Sequence, residues 1–113
     1  MALYKNSKKC GPNAIDNYDD YYRWSDGTYS RSHYIEGTGT INSCNGMYSS
    51  SYSDNYNIQD GITEFGDGCF SESSVSSVSL PDTLVTIGNR CFEKSKITSI
   101  GLPDGLKKIG HNN

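Results

Sequence analysis

No run of apolar residues in this 113-residue chain approaches the roughly 18 that a membrane-crossing helix needs, and the mean hydropathy is −0.65. A helical membrane insertion is therefore not expected. There is no basic block either. Ten Lys and Arg are scattered among 13 Asp and Glu, for a formal charge of −3, which leaves no electrostatic footprint for nucleic acid. Met1-Ala2-Leu3-Tyr4-Lys5 lacks the apolar core of a secretory signal. The expectation is a protein that works in the cytoplasm or in a virion, or one whose leader has been removed. The four cysteines, Cys10, Cys44, Cys69 and Cys91, are far apart, so no CxxC-type zinc or redox motif exists. The first half also lacks aliphatic residues. Only Leu3, Ile15, Ile35 and Ile41 lie within residues 1–57, whereas thirteen Ile, Leu and Val lie beyond that point. All three phenylalanines follow it too, while all nine tyrosines and Trp24 come before.

Motifs for chemistry are equally scarce. Cys10, His33 and an Asn or Asp can be drawn as a nucleophilic triad, but no nucleophile elbow surrounds Cys10. Cys10, His33, Cys44 and His111 can be drawn as a zinc set, but their spacing fits no finger. Asp16, Asp19 and Asp20 lack the glycine and distal glutamate of a calcium loop and read as a solvated acidic face. Glu64 and Asp67 read as solvent-facing acids at a corner. No glycine-rich phosphate loop precedes a strand–helix unit. The expectation is a non-enzyme with no cofactor and no metal.

What the chain does contain is a repeat. A step of 22 residues carries Ile58 to Leu80 to Leu102, Ile62 to Leu84 to Leu106 and Phe65 to Ile87 to Ile109. The same step carries Gly66 to Gly88 to Gly110, Asp60 to Asp82 to Asp104, Cys69 to Cys91, Phe70 to Phe92 and Pro81 to Pro103. A fixed period of this size implies a solenoid, whose units bury their apolar residues only by stacking. In the middle copy, Val78 and Leu80 are two apart and share one face of a strand, with Ser77 and Ser79 on the other. Pro81 ends the strand. Leu84 and Ile87 point inward from a second short segment. Gly88 is expected at a corner with positive φ. Phe92 is expected to fill the interior, almost fully buried, from a single helical turn. Cys69 and Cys91 read as small buried hydrophobes, with a disulfide between them geometrically open; Cys10 and Cys44 are a further possible pair.

Val78-Ser79-Leu80-Pro81, Leu84-Val85-Thr86-Ile87-Gly88 and Cys91-Phe92 resemble the BspA-like, or Treponema pallidum-type, leucine-rich repeat. So do Ile97, Ile100, Leu102-Pro103, Leu106 and Ile109-Gly110. Cys91 stands in place of the usual alanine before phenylalanine, and Ser95 in place of the usual final cysteine. The resemblance covers residues 58–110. It implies a repeat fold and a surface protein that binds host proteins or other cells.

The 22-residue step does not extend cleanly backwards. Thr40 and Ser43 stand where Ile62 and Phe65 should find partners. Residues 1–57 are therefore expected to be an irregular, tyrosine-rich cap, anchor or docking segment, and 58–113 the repeats. Cys10-Gly11-Pro12-Asn13, Ser25-Asp26-Gly27 and Asn45-Gly46 read as turns. Thr28–Ile35 and, more weakly, Thr38–Ile41 have strand propensity. Asp16–Trp24 is a possible helix start, and Ser49–Asn57 a linker or an irregular first coil.

Together these readings predict a mainly β leucine-rich-repeat solenoid of about two and a half coils with that N-terminal segment. The leading function is protein binding or adhesion by the outward strand ladder Asn57, Ser77, Ser79, Ser99 and Gly101, at a cell surface or outside the cell. The alternative is a structural subunit of a phage particle or other large assembly. A third reading is carbohydrate stacking by Tyr18, Tyr21, Tyr22 and Trp24, against which stands a purely structural use of these rings as core. Partners are expected to be proteins or further copies of the chain. The third copy stops at Asn113, before its phenylalanine. Either the natural protein continues with further coils, or this apolar end is covered by a partner or a second copy.

Overall fold

The computed structural model describes residues 6–42, 52–71, 74–97 and 100–111, apart from the side chains of Asp20, Tyr21, Arg23 and Tyr52. Among these residues the regular elements are strands, β1 (Asn6–Gly11), β2 (Ala14–Arg23), β3 (Thr28–Gly37), β4 (Gly39–Ile41), β5 (Tyr52–Ile58), β6 (Ile62–Phe65), β7 (Val75–Ser79), β8 (Thr86–Ile87) and β9 (Lys108–Ile109). They form a five-stranded sheet of order β1-β2-β3-β5-β7 and a four-stranded sheet of order β4-β6-β8-β9. From β3 to β8 the chain alternates between the sheets, each new strand lying parallel to the preceding strand of its own sheet, and β9 then pairs parallel with β8. Before β3 it runs as an antiparallel pair of hairpins, β1–β2 and β2–β3.

The residues expected to form an irregular cap are therefore strands across 6–37, and the possible helix at Asp16 is the long strand β2. The reason is pairing. Each β2 residue from Ala14 to Arg23 has a β3 partner in unbroken register, and tyrosine and threonine suit such a surface. The turns at Pro12-Asn13 and at Trp24–Gly27 fall where glycine, proline and aspartate mark them. The Asn45-Gly46 turn and Ser49–Ser51 lie outside the described residues; the rest of the expected Ser49–Asn57 linker is strand, within β5.

The core lies between the two sheets. Ile35, Ile41, Ile62, Phe65, Phe70, Val75, Leu84 and Ile87 are fully buried there, each contributing about 1.5–3 kcal/mol of apolar burial. Ile35 lies beside Ile58, and Ile41 beside Phe65. The first half thus supplies a layer of the same core rather than one of its own. In β7, Val78 turns inward and Ser77 and Ser79 outward, as the alternation requires.

Two details of the repeat differ from expectation. Phe70 is fully buried, but Phe92 is only partly so. Phe92 stacks flat on Phe70, with centroids 5.5 Å apart. It leaves from a turn, not a helix. Gly88 is not among the positive-φ residues. It is needed for close approach, since a Cβ there would lie 2.8 Å from Phe65 O and 2.9 Å from Asp67 N. Positive φ belongs instead to Gly68 and, one step on, to Arg90.

Candidate functional site

The outer face of the five-stranded sheet is built from two rows of side chains. Register places Ser7, Asn17, Tyr34, Asn57 and Ser79 side by side in one row. Asp19, Ser32, Asn55 and Ser77 form the next. Three of the expected ladder residues, Asn57, Ser77 and Ser79, lie in these rows and are exposed. Gly101 is exposed but outside any strand, and Ser99 lies outside the described residues. The rows bond laterally. Ser77 Oγ donates to Asn55 Oδ1 at 2.7 Å, Gln59 Nε2 to Asn57 Oδ1 at 3.0 Å, and Asn17 Nδ2 to Tyr34 O at 3.2 Å. The rows are rich in donors and acceptors, and the register sets the charged Lys9 and Glu36 in line with Ile15 beside them.

The inner face of the same strands holds a feature the sequence reading missed. His33 Nδ1 lies 2.9 Å from the Asp16 carboxylate, and Nε2 2.7 Å from Asp54 Oδ1. Arg31 grips Asp54 from the side, Nε to Oδ1 at 2.6 Å and a terminal nitrogen to Oδ2 at 2.9 Å. Asp16 and Asp54 are buried, at 0% and 3% exposure. Burial pushes the His33 pKa down, but the hydrogen bonds and charges of the two carboxylates outweigh it and hold the ring above its usual 6.5. Burial pushes Asp54 up, and His33 and Arg31 outweigh that in turn, holding it below 3.8. The imidazole is stacked on Tyr56 at 4.0 Å and on Tyr18 at 5.4 Å. Arg31-x-His33-x-Ile35 and Asp54-x-Tyr56-x-Ile58 carry these groups in phase with core isoleucines. That alternation was the available signal.

This network answers the chemical candidates drawn on His33. Both ring nitrogens are engaged by carboxylates, Cys10 is buried, and Cys44 lies outside the described residues. No group of three metal-ligating side chains converges among the described residues. Cys69 and Cys91 are buried thiols, not joined by a disulfide. A hydrogen bond from Cys69 holds the Cys91 thiol below its usual 9.0 in spite of burial.

The aromatic cluster divides. Tyr18 turns inward against His33, while Tyr22 packs with Trp24 and Tyr29 at the end of the β2–β3 hairpin. The Trp24 ring stands perpendicular to Tyr22 at 4.7 Å, and Tyr29 lies 4.8 Å from Tyr22 on the other side. Trp24 is 87% exposed. Asp26 accepts from Thr28 N and Oγ1, at 3.1 and 2.6 Å, and so stiffens the turn that displays it. Tyr21 sits opposite Ser30 in the register.

On the turn side, a side-chain ladder links successive copies. Asn89 N donates to Asp67 Oδ1 and His111 N to Asn89 Oδ1, both at 2.8 Å. The ladder borders a groove of about 770 Å³ that also meets Ser71, Arg90 and Glu93.

A model of the BspA type leucine rich repeat region, of six copies, matches residues 40–113. This chain belongs to that family. The match begins at Thr40, so the BspA-type repeat reaches back into β4, a strand whose Ile41 already lies beside Phe65. No curated protein and no solved structure matches the chain. Repeats of the BspA type suit protein interaction.

Proposed function

We propose that the chain is a non-catalytic, protein-binding or adhesion module, a short repeat solenoid that recognises its partner with the outer face of the five-stranded sheet. The observation that carries this reading is the pair of polar rows running through β2, β3, β5 and β7. Their side chains are short, so a partner approaches the sheet closely and meets hydrogen-bonding groups at regular strand spacing, about 4.8 Å. The test is a binding screen of the immobilised chain against purified surface and matrix proteins. A double variant, Asn55→Arg with Ser77→Arg, is compared with Asp82→Arg, an exposed control away from the rows. The expected outcome is loss of the detected partner by the double variant alone. Equal loss by both variants, or by neither, removes the face from consideration.

A second reading, carbohydrate stacking, has its own observation in Trp24. An indole 87% exposed and set perpendicular to Tyr22 keeps most of its surface open to solvent, which suits the apolar side of a sugar ring. Quenching or shift of the single tryptophan's fluorescence by neutral oligosaccharides, absent in Trp24→Ala, would support it. An unchanged spectrum across a glycan panel would end it.

A further inference from the structure

His33 lies where two architectures meet. The antiparallel hairpin β1–β2 abuts the parallel succession β3, β5 and β7, and His33, on β3, reaches both neighbours at once. Asp16 faces it from β2 and Asp54 from β5. Tyr18 and Tyr56 cover its two faces. Arg31, on its own strand, is held by Asp54, and Lys8, opposite Asp16 on β1, is exposed.

Each ring nitrogen of His33 faces a buried carboxylate at hydrogen-bond distance, 2.9 Å to Asp16 and 2.7 Å to Asp54. A protonated imidazole places an N–H on both carboxylates. A neutral ring has only one N–H. Whichever tautomer forms, a nitrogen lone pair then faces a carboxylate oxygen at less than 3 Å. Among the described residues no buried side-chain nitrogen or oxygen lacks a partner. Removing this proton creates one such case, at the seam between hairpin and repeat.

We propose that His33 is a pH-operated clasp: as an imidazolium it ties β2 to β5 through Asp16 and Asp54, and loss of its proton loosens the β1–β2 hairpin from the repeat. The direction follows from linkage. A histidine that binds its proton more tightly when folded contributes stability that is complete below its unfolded pKa and is lost as pH rises through the folded one. The loosening is local, because the groups freed of their partners belong to β2, β3 and β5, while β6, β8 and the core around Phe65 contain none of them. The clasp does not depend on what the outer face binds, so it stands or falls apart from the proposed function.

The experiment follows the imidazole signals of the whole chain by NMR through the neutral and alkaline range. The exposed His111 is identified by a His111→Gln variant. Amide exchange is measured over the same range and corrected for its intrinsic rise with pH. The expected result is a His33 midpoint above 6.5, with amides of Ala14–Tyr18 losing protection at that midpoint while those of Ile62–Phe65 keep theirs. Asp16→Asn should move the midpoint down and leave the hairpin less protected even below it. A His33 midpoint at or below 6.5 overturns the proposal. So does a hairpin that opens together with Ile62–Phe65, or an Asp16→Asn protein with an unmoved midpoint. If Asp16→Asn does not fold, the wild-type comparison of imidazole midpoint with hairpin exchange decides alone.

Discussion

Ile41 and Phe65 lie side by side in the four-stranded sheet although 24 residues separate them, while Phe65 and Ile87, neighbours in the same sheet, are separated by 22. The first layer of the core is thus built from the half of the chain with few aliphatic residues. Ile41→Ala should destabilise the whole fold by about 2–5 kcal/mol, the range for a buried isoleucine truncated to alanine. Ile87→Ala should cost a similar amount. Urea unfolding checks this, and a separate, weaker transition for the N-terminal half would contradict a shared core.

Phe70 and Phe92 occupy one column of the repeat but differ in burial. Phe70→Ala should cost about 3–5 kcal/mol, as deletion of a fully buried aromatic does, and Phe92→Ala distinctly less. The order of the two midpoints in thermal unfolding is the observation to make. Equal losses would mean that Phe92 is covered in solution.

Asp54 predicts an acid limit to stability. Its folded pKa lies below its ordinary 3.8 because His33 and Arg31 outweigh burial. Its contribution is therefore complete above the unfolded value and is lost as pH falls from there through the folded pKa. Asp54→Asn should lower stability at neutral pH by about 3–5 kcal/mol, because it leaves Arg31 and His33 without their charged partner. It should also flatten the decline below pH 3.8. A variant with the wild-type acid profile would remove Asp54 as the cause.

Leu102 and Ile109, at 50% and 48% exposure, lie beyond Leu80 and Ile87 at the end of the stack, where β9 is the edge of its sheet. An apolar sheet edge favours pairing with another chain. The chain should sediment above its monomer mass as concentration rises, and Leu102→Ser with Ile109→Ser should return it to a monomer. A wild-type monomer at all concentrations would show that this end needs no cover.

The sequence by itself determined the second half of the fold. From Ile58 to Gly110 each copy has the same length, so every core position recurs at one step and can be read as a column. Val78 inward with Ser77 and Ser79 outward followed from the two-residue alternation of a strand. In the first half that legibility fails for a geometrical reason. Between β3 and β5 the step is 23, and a register shift after Gly39 makes it 24 at Ile41. A single fixed period therefore placed Thr40 opposite Ile62 and Ser43 opposite Phe65, where Gly39 and Ile41 belong. Antiparallel pairing hides more, because partners such as Asn17 and Tyr34 lie at separations that change with every residue. Only the tertiary structure decided that Ser7, Asn17 and Tyr34 extend the Asn57–Ser79 row. Only it brought Asp16, Arg31, His33 and Asp54 together. Charges on the inward phase of a strand are interpretable only once the facing strand supplies their counter-charges, and that pairing is set by the sheet.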